Sequence, residues 1–332
     1  MSNLLAKIKH KLAYEWYRRV RAKKDFKKGY AAFLKTGITP LSGYTALVNL
    51  YRTTNGTFNE IEQRKIAIEN PPAPVTGPLK GILGTFDSAK FERTNATLNA
   101  EGYVQFDVKL PAHLVSRLYD YALHTKALVP PAYDSKVLYD PPDPVAEIYR
   151  FDTADLMQNE DIQSLVMDPV LVHIARNYLG SEPIFDFPAM WWSTTFLKEA
   201  SAEAAQLYHF DLDRIKWLKF FIYLTDVTPL NGPHYYIRGT HLPGAKPKEL
   251  LKRGYARIPD ADVQKFYKKE DFVEICGEAG ALFAGDTKCW HKGSALKRGH
   301  RLVLELQYTS SLFGVNIPRL QADMLHTGRG QG

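Results

Sequence analysis

Two short stretches, far apart in the chain, constrain the fold most. The first is Tyr208-His209-Phe210-Asp211, and the second is Trp290-His291. Because alternate side chains of an extended strand share a face, His209 and Asp211 are expected to point the same way. A β-barrel that closes its sheet could bring His291 beside them despite the long separation in sequence. The pattern therefore predicts a β-rich fold in which three side chains meet around one metal ion.

This donor set indicates a class of metal chemistry. Two imidazoles and one carboxylate on one face of a metal leave the opposite positions open for a co-substrate and dioxygen, as in non-haem Fe(II) oxygenases. A lone His-x-Asp pair is weak evidence, since most such pairs are surface turns or satisfied core groups. Asp213 is a rival to Asp211 because it also follows His209 closely, but the spacing along a strand favours Asp211.

Further motifs accompany the pair in a fixed order. They are a β-rich strand from Lys216 to Thr225, the turn Asn231-Gly232-Pro233, the stretch Arg238-Gly239-Thr240-His241, the pair Gly285-Asp286, and Arg301 at the head of a strand from Leu302 to Tyr308. In order and spacing these motifs resemble those of the phytanoyl-CoA dioxygenase family of Fe(II)/2-oxoglutarate oxygenases. The resemblance also takes in Asn99–Val104 and Asp168–Gly180.

The resemblance implies a fold, a metal site and cofactors. The fold class is mainly β with flanking helices, built as a double-stranded β-helix barrel of the jelly-roll, cupin-like kind. The catalytic iron ligands are His209, Asp211 and His291. The implied cofactors are Fe(II), 2-oxoglutarate as co-substrate, and O2.

Three further residues are implied around the co-substrate. Arg301 is the expected partner of the C5 carboxylate of 2-oxoglutarate, and Ser294 is a weaker candidate for the same carboxylate. Phe221 falls where the family places an aromatic ring beside the co-substrate. The interval after His291 is slightly shorter than in the family, so Arg298 or Lys297 could compete with Arg301. We prefer Arg301 because it begins a strand.

The resemblance also implies a reaction. We expect an oxidoreductase that hydroxylates an unactivated C–H bond of a small-molecule or lipid- or carrier-linked metabolite and releases succinate and carbon dioxide. The same oxidant can desaturate or epimerise. Two other interpretations stay open: a cupin-like metalloenzyme that does not use 2-oxoglutarate, and a catalytically silent binding or scaffold protein of the same fold. A cupin would usually carry a His-x-His pair.

Charge is unevenly distributed along the chain. The net charge of +7 is concentrated in residues 1–30, and the remainder is close to neutral. The catalytic domain therefore has no electrostatic support for nucleic acid binding. An amphipathic helix in the basic arm is predicted by apolar residues that recur every three or four positions, namely Leu5, Ile8, Leu12, Trp16 and Val20. Such a helix could pack on the domain with a solvated basic face, or lie on an anionic membrane surface.

Four segments are predicted along the chain. They are a basic amphipathic helical arm (1–30), an N-terminal extension of unknown role with a Pro-rich linker (31–90), the dioxygenase domain (91–312) and a C-terminal tail (313–332). The extension either covers one face of the barrel or forms a separate docking segment. Within the domain, the stretch from Asp155 to Leu179 is expected to form two helices that break near Asp168-Pro169.

The sequence also bears on location. No apolar run is long enough to span a bilayer, and residues 1–30 lack the short apolar core of a secretory signal. Cys276 and Cys289 make no disulfide framework, and ferrous iron favours a reducing compartment. We therefore expect a cytoplasmic protein that acts on a small molecule, with peripheral membrane contact through residues 1–30 as an alternative. The oligomeric state is left open.

Overall fold

The computed structural model describes residues 20–131, 133–197, 205–254 and 256–317. Most of the predicted helical arm and most of the predicted tail lie outside the described residues. The helices are α1 (20–36), α2 (Leu41–Thr54), α3 (Thr57–Glu69), α4 (Ser88–Glu101), α5 (Ala112–His124), α6 (Thr153–Met157), α7 (Glu160–Val166), α8 (Pro169–Leu179), α9 (Lys248–Leu251) and α10 (Asp260–Val263). The strands are β1 (Leu79–Gly81), β2 (Gly84–Phe86), β3 (Tyr103–Gln105), β4 (Ala127–Leu128), β5 (Lys136–Val137), β6 (Ile148–Arg150), β7 (Ile184–Ser193), β8 (Trp217–Tyr223), β9 (His234–Ile237), β10 (Phe272–Ile275), β11 (Leu282–Gly285), β12 (His291–Gly293) and β13 (Arg301–Thr309).

Eight antiparallel strands form the larger sheet, in the order β3-β11-β8-β13-β7-β6-β4-β5. β13 lies inside this sheet and pairs with β7 on one side and with β8 on the other. In this register Arg301 lies opposite Ser193. Glu305 lies opposite Ala189 on β7 and opposite Phe221 on β8. Because side chains alternate along a strand, these residues share one face of the sheet.

The two faces of the larger sheet bury different apolar cores. On β8, Phe220 and Ile222 join a cluster that contains buried residues of α5, α6, α7 and α8. Phe221 and Tyr223 point the other way and join a second cluster together with residues of another sheet. The period-two pattern of this strand predicts that one face packs against helices and the other looks inward, and both predictions are confirmed.

A smaller sheet, in the order β10-β9-β12, faces the larger one. Tyr236 of β9 and Ile275 of β10 pack in the inner cluster with Phe221, Phe283 and Val303 of the larger sheet. Two antiparallel sheets stacked over an inner core are the arrangement of a jelly roll. The predicted fold class, mainly β with flanking helices around a double-stranded β-helix, is confirmed.

Three of the helices that brace the larger sheet, α6, α7 and α8, begin at side-chain caps. The Asp168 carboxylate accepts hydrogen bonds from two backbone amides of α8, and Pro169 stands at the start of that helix. The break predicted near Asp168-Pro169 is confirmed. The prediction of two helices between Asp155 and Leu179 is wrong, because Asn159 caps α7 in the same way and separates it from α6.

The N-terminal helices pack against the jelly roll. Phe26 of α1 shares an apolar cluster with Ile215 and Phe313, which apolar residues of α2 and α3 complete. The segment 31–90 therefore covers part of the surface of the domain. Residue 30 lies inside α1, and Phe313 is buried among its neighbours rather than in a free tail.

α1 presents different residues to the protein and to solvent. Ala22 and Phe26 are buried, whereas Lys24, Lys27 and Lys28 are exposed. The face toward the protein is thus apolar and the face toward solvent is basic. Among the helices of the described ranges, none combines the length and the hydropathy needed to cross a bilayer.

Candidate metal centre

His209, Asp211 and His291 come together inside the jelly roll. One possible ligand atom from each residue lies within 4.8 Å of the other two, and no second group of this kind occurs in the part of the chain that the structure describes. Nε2 of His209 lies 3.8 Å from Oδ1 of Asp211, and Nε2 of His291 lies 3.8 Å from Oδ2 of Asp211. The three side chains that the sequence singles out are therefore neighbours in the fold.

Backbone pairing closes the long separation between the two histidines. The His209 amide donates to the His291 carbonyl at 3.0 Å, and the His291 amide donates to the His209 carbonyl at 2.9 Å. Tyr208 and Phe210, which alternate with His209, turn into a separate apolar core. His209 and Asp211 therefore share the opposite face, as the strand argument predicts, although this stretch pairs through isolated bridges rather than in a full strand.

A backbone carbonyl orients each imidazole. Nδ1 of His209 lies 2.9 Å from the Leu207 carbonyl oxygen, and Nδ1 of His291 lies 3.0 Å from the Cys289 carbonyl oxygen. Because a carbonyl oxygen can only accept, Nδ1 carries the proton of the neutral ring and Nε2 keeps its lone pair. Burial lowers the pKa of His209 well below its ordinary value and also lowers the pKa of His291. Both rings are held in the neutral form that a metal ligand needs.

A buried lysine and a second carboxylate adjoin the three residues. Lys219 Nζ lies 3.1 Å from Asp211 Oδ2 and 3.2 Å from Glu305 Oε1. Burial opposes ionisation of Asp211, but the adjacent Lys219 ammonium outweighs it and lowers the pKa of Asp211. In the same way, burial opposes the charge of Lys219, and the two carboxylates outweigh it and raise the pKa of the lysine. Asp211 is therefore ionised at neutral pH.

A cavity of about 260 Å³ is lined by these residues and by Arg301. The side chain of Arg301 is buried, and its Nη2 donates to Ser193 Oγ at 3.2 Å. Its Nε and Nη1 have no hydrogen-bond partner among the described residues, and burial lowers the pKa of Arg301 to about 10. The rivals Lys297 and Arg298 are exposed in the preceding turn. Arg301 thus offers unused donors to the cavity, in the fork geometry that suits a carboxylate.

The other residues singled out in the sequence lie in different places. Phe221 lines the same cavity and stacks on a neighbouring phenylalanine. Ser294 does not line the cavity, and its hydroxyl donates to the Pro233 carbonyl at 3.0 Å. Asp213 lines the cavity but is not one of the three clustered ligands. Burial and then the charge of Asp211 raise the pKa of Asp213 to about 7.

Lys219 and Glu305 are among the charged residues of the cavity wall that are missing from the predicted site. Lys219 lies on the same face of β8 as Phe221, and Glu305 lies on the same face of β13 as Arg301. A charged side chain on the inward face of an apolar strand is costly unless it is partnered, so inward charges are a usable signal for a site. The rest of the lining comes from separate segments, namely Ile148, Arg150, Phe187, Ala189, Trp191, Ala205, His234, Thr287 and Gly293.

The donor set fits a ferrous ion. Two neutral imidazoles and one ionised carboxylate form the two-histidine, one-carboxylate set of non-haem Fe(II) oxygenases. The buried, unused donors of Arg301 fit the remote carboxylate of a keto-acid co-substrate. The three clustered ligands therefore suit a ferrous ion, and Arg301 suits the carboxylate of a keto acid.

One family model matches part of the chain. The family model described as phytanoyl-CoA dioxygenase (PhyH) matches residues 144–300. The match covers less than half of the chain, and this segment resembles the phytanoyl-CoA dioxygenase family in sequence. The PhyH segment contains all three clustered residues and ends directly before Arg301. The predicted family and the prediction of an oxidoreductase are confirmed.

Solved structures share the fold of the PhyH segment and its surroundings. The epimerase SnoN in complex with Fe3+, alpha ketoglutarate and nogalamycin RO is 18% identical, and the match covers 72% of this chain and 94% of that chain with a TM-score of 0.51. EctD from S. alaskensis in its apoform is 19% identical, and the match covers 74% of this chain and 89% of that chain with a TM-score of 0.50. At these identities the likeness concerns the fold alone. No curated protein matches the chain in sequence.

Proposed function

We propose that the chain is an Fe(II)- and 2-oxoglutarate-dependent dioxygenase that hydroxylates an unactivated C–H bond of a small-molecule or lipid- or carrier-linked metabolite. The observation that carries the proposal is one cavity that holds three clustered metal ligands and a buried arginine with unused donors. The PhyH family and the iron and alpha ketoglutarate named in the SnoN complex support the same metal and co-substrate. When bound with O2, this pair supplies the oxidising power, and succinate and carbon dioxide are released.

Each residue of the cavity has a task in this proposal. His209, Asp211 and His291 hold the metal. Arg301 binds the far carboxylate of 2-oxoglutarate through charge-assisted hydrogen bonds from Nε and Nη1. Phe221 packs beside the co-substrate and helps to exclude water, which strengthens those bonds.

Two alternatives differ in their use of Arg301. A cupin-like metalloenzyme that does not take 2-oxoglutarate has no need of a buried arginine with unpaired donors. A catalytically silent scaffold has no need of either half of the site. Desaturation or epimerisation would use the same residues, so the choice among outcomes depends on the substrate rather than on the metal site.

An anaerobic titration with Fe(II) and then 2-oxoglutarate tests the proposal. A keto acid that chelates ferrous iron gives a weak visible charge-transfer band, which we expect for the wild-type protein. His291→Ala removes one of the three donors and should abolish the band. It should also weaken iron binding by more than about 100-fold, since loss of a mere outer-shell partner already costs about 10–100-fold.

A buried histidine outside the cluster provides the matched control. The ring of His241 lies 3.2 Å from the Asn99 carbonyl oxygen and does not line the cavity. His241→Asn should therefore keep the band. A wild-type protein that binds iron without giving the band would contradict the proposal and favour the cupin-like enzyme. A wild-type protein that binds no iron would favour the scaffold.

We also propose that the protein is cytoplasmic and contacts an anionic membrane surface through its N-terminal arm. In α1, Lys24, Lys27 and Lys28 are exposed at helical spacing, and the same face continues to Leu34, which is 67% exposed. A basic face that also carries an exposed leucine suits a lipid headgroup layer better than a nucleic acid. Ile38, just beyond the helix, is 63% exposed and extends the apolar part.

Sedimentation with vesicles tests the membrane contact. Vesicles of phosphatidylcholine and phosphatidylserine should bind the protein, and pure phosphatidylcholine vesicles should not. Charge reversal of Lys24, Lys27 and Lys28 to Glu should weaken binding by about 100-fold or more, because each lysine near such a surface contributes about 1 kcal/mol. Reversal of the exposed Lys268 and Lys269 is the control. Equal binding to both vesicles, or no loss on reversal of the α1 lysines, would contradict the proposal.

A further inference from the structure

We propose that Lys219, supported by Glu305, is a positioning residue that occupies one oxygen of Asp211 and leaves the other oxygen for the metal. The inference rests on the proposed function, because it concerns how one ligand of that site is presented. It assigns a role to the charged wall of the cavity, which the metal and co-substrate residues leave unexplained.

The geometry places the lysine between two carboxylates. Lys219 Nζ is 3.1 Å from Oδ2 of Asp211 and 3.2 Å from Oε1 of Glu305. Lys219 and Glu305 come from neighbouring strands of the larger sheet, β8 and β13, and their side chains are 9% and 8% exposed. Asp211 reaches them from the stretch that pairs with β12. The lysine therefore bridges a fixed wall of the cavity to the metal-ligating residue.

This contact makes the two oxygens of Asp211 unequal. Each oxygen lies 3.8 Å from one imidazole nitrogen, Oδ1 from Nε2 of His209 and Oδ2 from Nε2 of His291, but only Oδ2 accepts a hydrogen bond from Lys219. A carboxylate with two free oxygens can bind a metal through both of them and occupy an additional position. A bidentate keto acid needs that position. Engagement of Oδ2 by Lys219 therefore favours a single-oxygen ligand and keeps room for the co-substrate.

Glu305 has a separate task. A lysine ammonium in contact with a metal ligand places positive charge beside the cation that the ligand has to hold. The carboxylate of Glu305 offsets this charge, so the pair as a whole is close to neutral. Loss of Lys219 and loss of Glu305 should therefore have different consequences, one for the co-substrate and one for the metal.

Another buried lysine, Lys288, forms a similar ion cluster outside the cavity. Lys288 lies 3.4 Å from Asp286 and 3.4 Å from Glu60, and its side chain is 2% exposed. It bridges two carboxylates as Lys219 does, but it does not line the cavity. Lys288→Met therefore serves as a matched control for the purely structural effect of removing such a lysine.

Two equilibrium constants distinguish positioning from a structural role. These are the dissociation constant for Fe(II) and the 2-oxoglutarate concentration that half-saturates the charge-transfer band, both measured anaerobically. For Lys219→Met we expect iron affinity close to wild type and half-saturation raised by about tenfold or more, the scale of outer-shell effects. For Glu305→Gln we expect iron affinity reduced by about tenfold with little change in half-saturation. Lys219→Arg, which keeps the charge, should restore much of the co-substrate affinity.

A second variant covers the case in which Lys219→Met fails to fold because Glu305 is left unpaired. Replacing both partners of a buried ion pair by apolar residues is often tolerated. The double variant Lys219→Met with Glu305→Met should therefore fold and still show the weakened co-substrate binding. Lys288→Met should lower the melting temperature and leave both constants unchanged.

The outcomes separate this inference from the proposed function. If both constants worsen together in Lys219→Met, or neither changes, the positioning role is overturned. In that case a normal band in the wild-type protein leaves the proposed function intact. If the wild-type protein gives no band, the proposed function fails first, and the inference falls with it.

Discussion

Arg214→Met should lower the free energy of unfolding by about 3–5 kcal/mol, because it leaves the buried carboxylate of Asp186 without its charged partner and with the Gln307 amide as its remaining donor. Nε and Nη2 of Arg214 donate to the two oxygens of Asp186, each at 2.7 Å. The side chains of Arg214 and Asp186 are 3% and 2% exposed. Because water screens such a buried bidentate pair very little, its loss should lower the free energy of unfolding by the full amount expected for a buried pair. Urea denaturation followed by circular dichroism at neutral pH measures the change.

The paired substitution gives the control for this effect. If the unpaired Asp186 causes the loss, then Asp186→Leu added to Arg214→Met should recover a large part of it, because replacing both partners of a buried ion pair is often close to neutral. A loss of less than about 1 kcal/mol in Arg214→Met, the scale of an exposed ion pair, would show that the pair is solvated in solution.

Arg301→Met should have the opposite effect: the protein should stay stably folded but bind 2-oxoglutarate much more weakly. Arg301 is as buried as Arg214, but its Nε and Nη1 have no partner among the described residues. A buried unsatisfied donor costs about 1–3 kcal/mol, so its removal should leave the free energy of unfolding unchanged or raise it by about 1 kcal/mol. Two lost hydrogen bonds to a carboxylate, at about 1.5–3 kcal/mol each, should raise the half-saturating 2-oxoglutarate concentration by more than about 100-fold.

The comparison of the two arginines makes the second result informative. Denaturation and the anaerobic titration are run on both variants under the same conditions. If Arg301→Met unfolds as readily as Arg214→Met, its guanidinium serves the fold and the co-substrate role is doubtful. If Arg301→Met retains normal 2-oxoglutarate binding, another cation binds the carboxylate, and the exposed Lys297 and Arg298 are the next to test.

Much of the site can be predicted from the sequence because it depends on local periodicity. His209 and Asp211 share a face through the alternation of extended backbone. Arg301 is implied by the family resemblance, and its place at the start of a strand favours it over its neighbours. The identity of the donor set then indicates the metal. These features need only the chain within a few residues of each motif, together with one resemblance in the order of the motifs.

The remainder needs the register between strands. The contact of Lys219 with Glu305 depends on how β8 pairs with β13, which no local pattern specifies. The separation of α6 from α7 depends on Asn159, whose side chain can either cap a helix or stay in a turn. The packing of α1 to α3 on the jelly roll depends on Ile215 and Phe313, which are distant in sequence. In each case long-range contacts decide between local alternatives.

The apolar cluster that joins α1 to Phe313 includes residues on both sides of the PhyH segment, so it bears on how much of the chain is needed for folding. The PhyH segment contains the three metal ligands. Glu60 of α3, outside that segment, forms an ion pair with Lys288, three residues before His291. The Asn316 side chain donates to the Thr39 carbonyl at 2.9 Å, so both flanks of the domain are also tied to each other. A chain trimmed to the family segment would expose Ile215 and lose these ties. The smallest autonomous folding unit is therefore larger than the smallest unit that contains the chemistry.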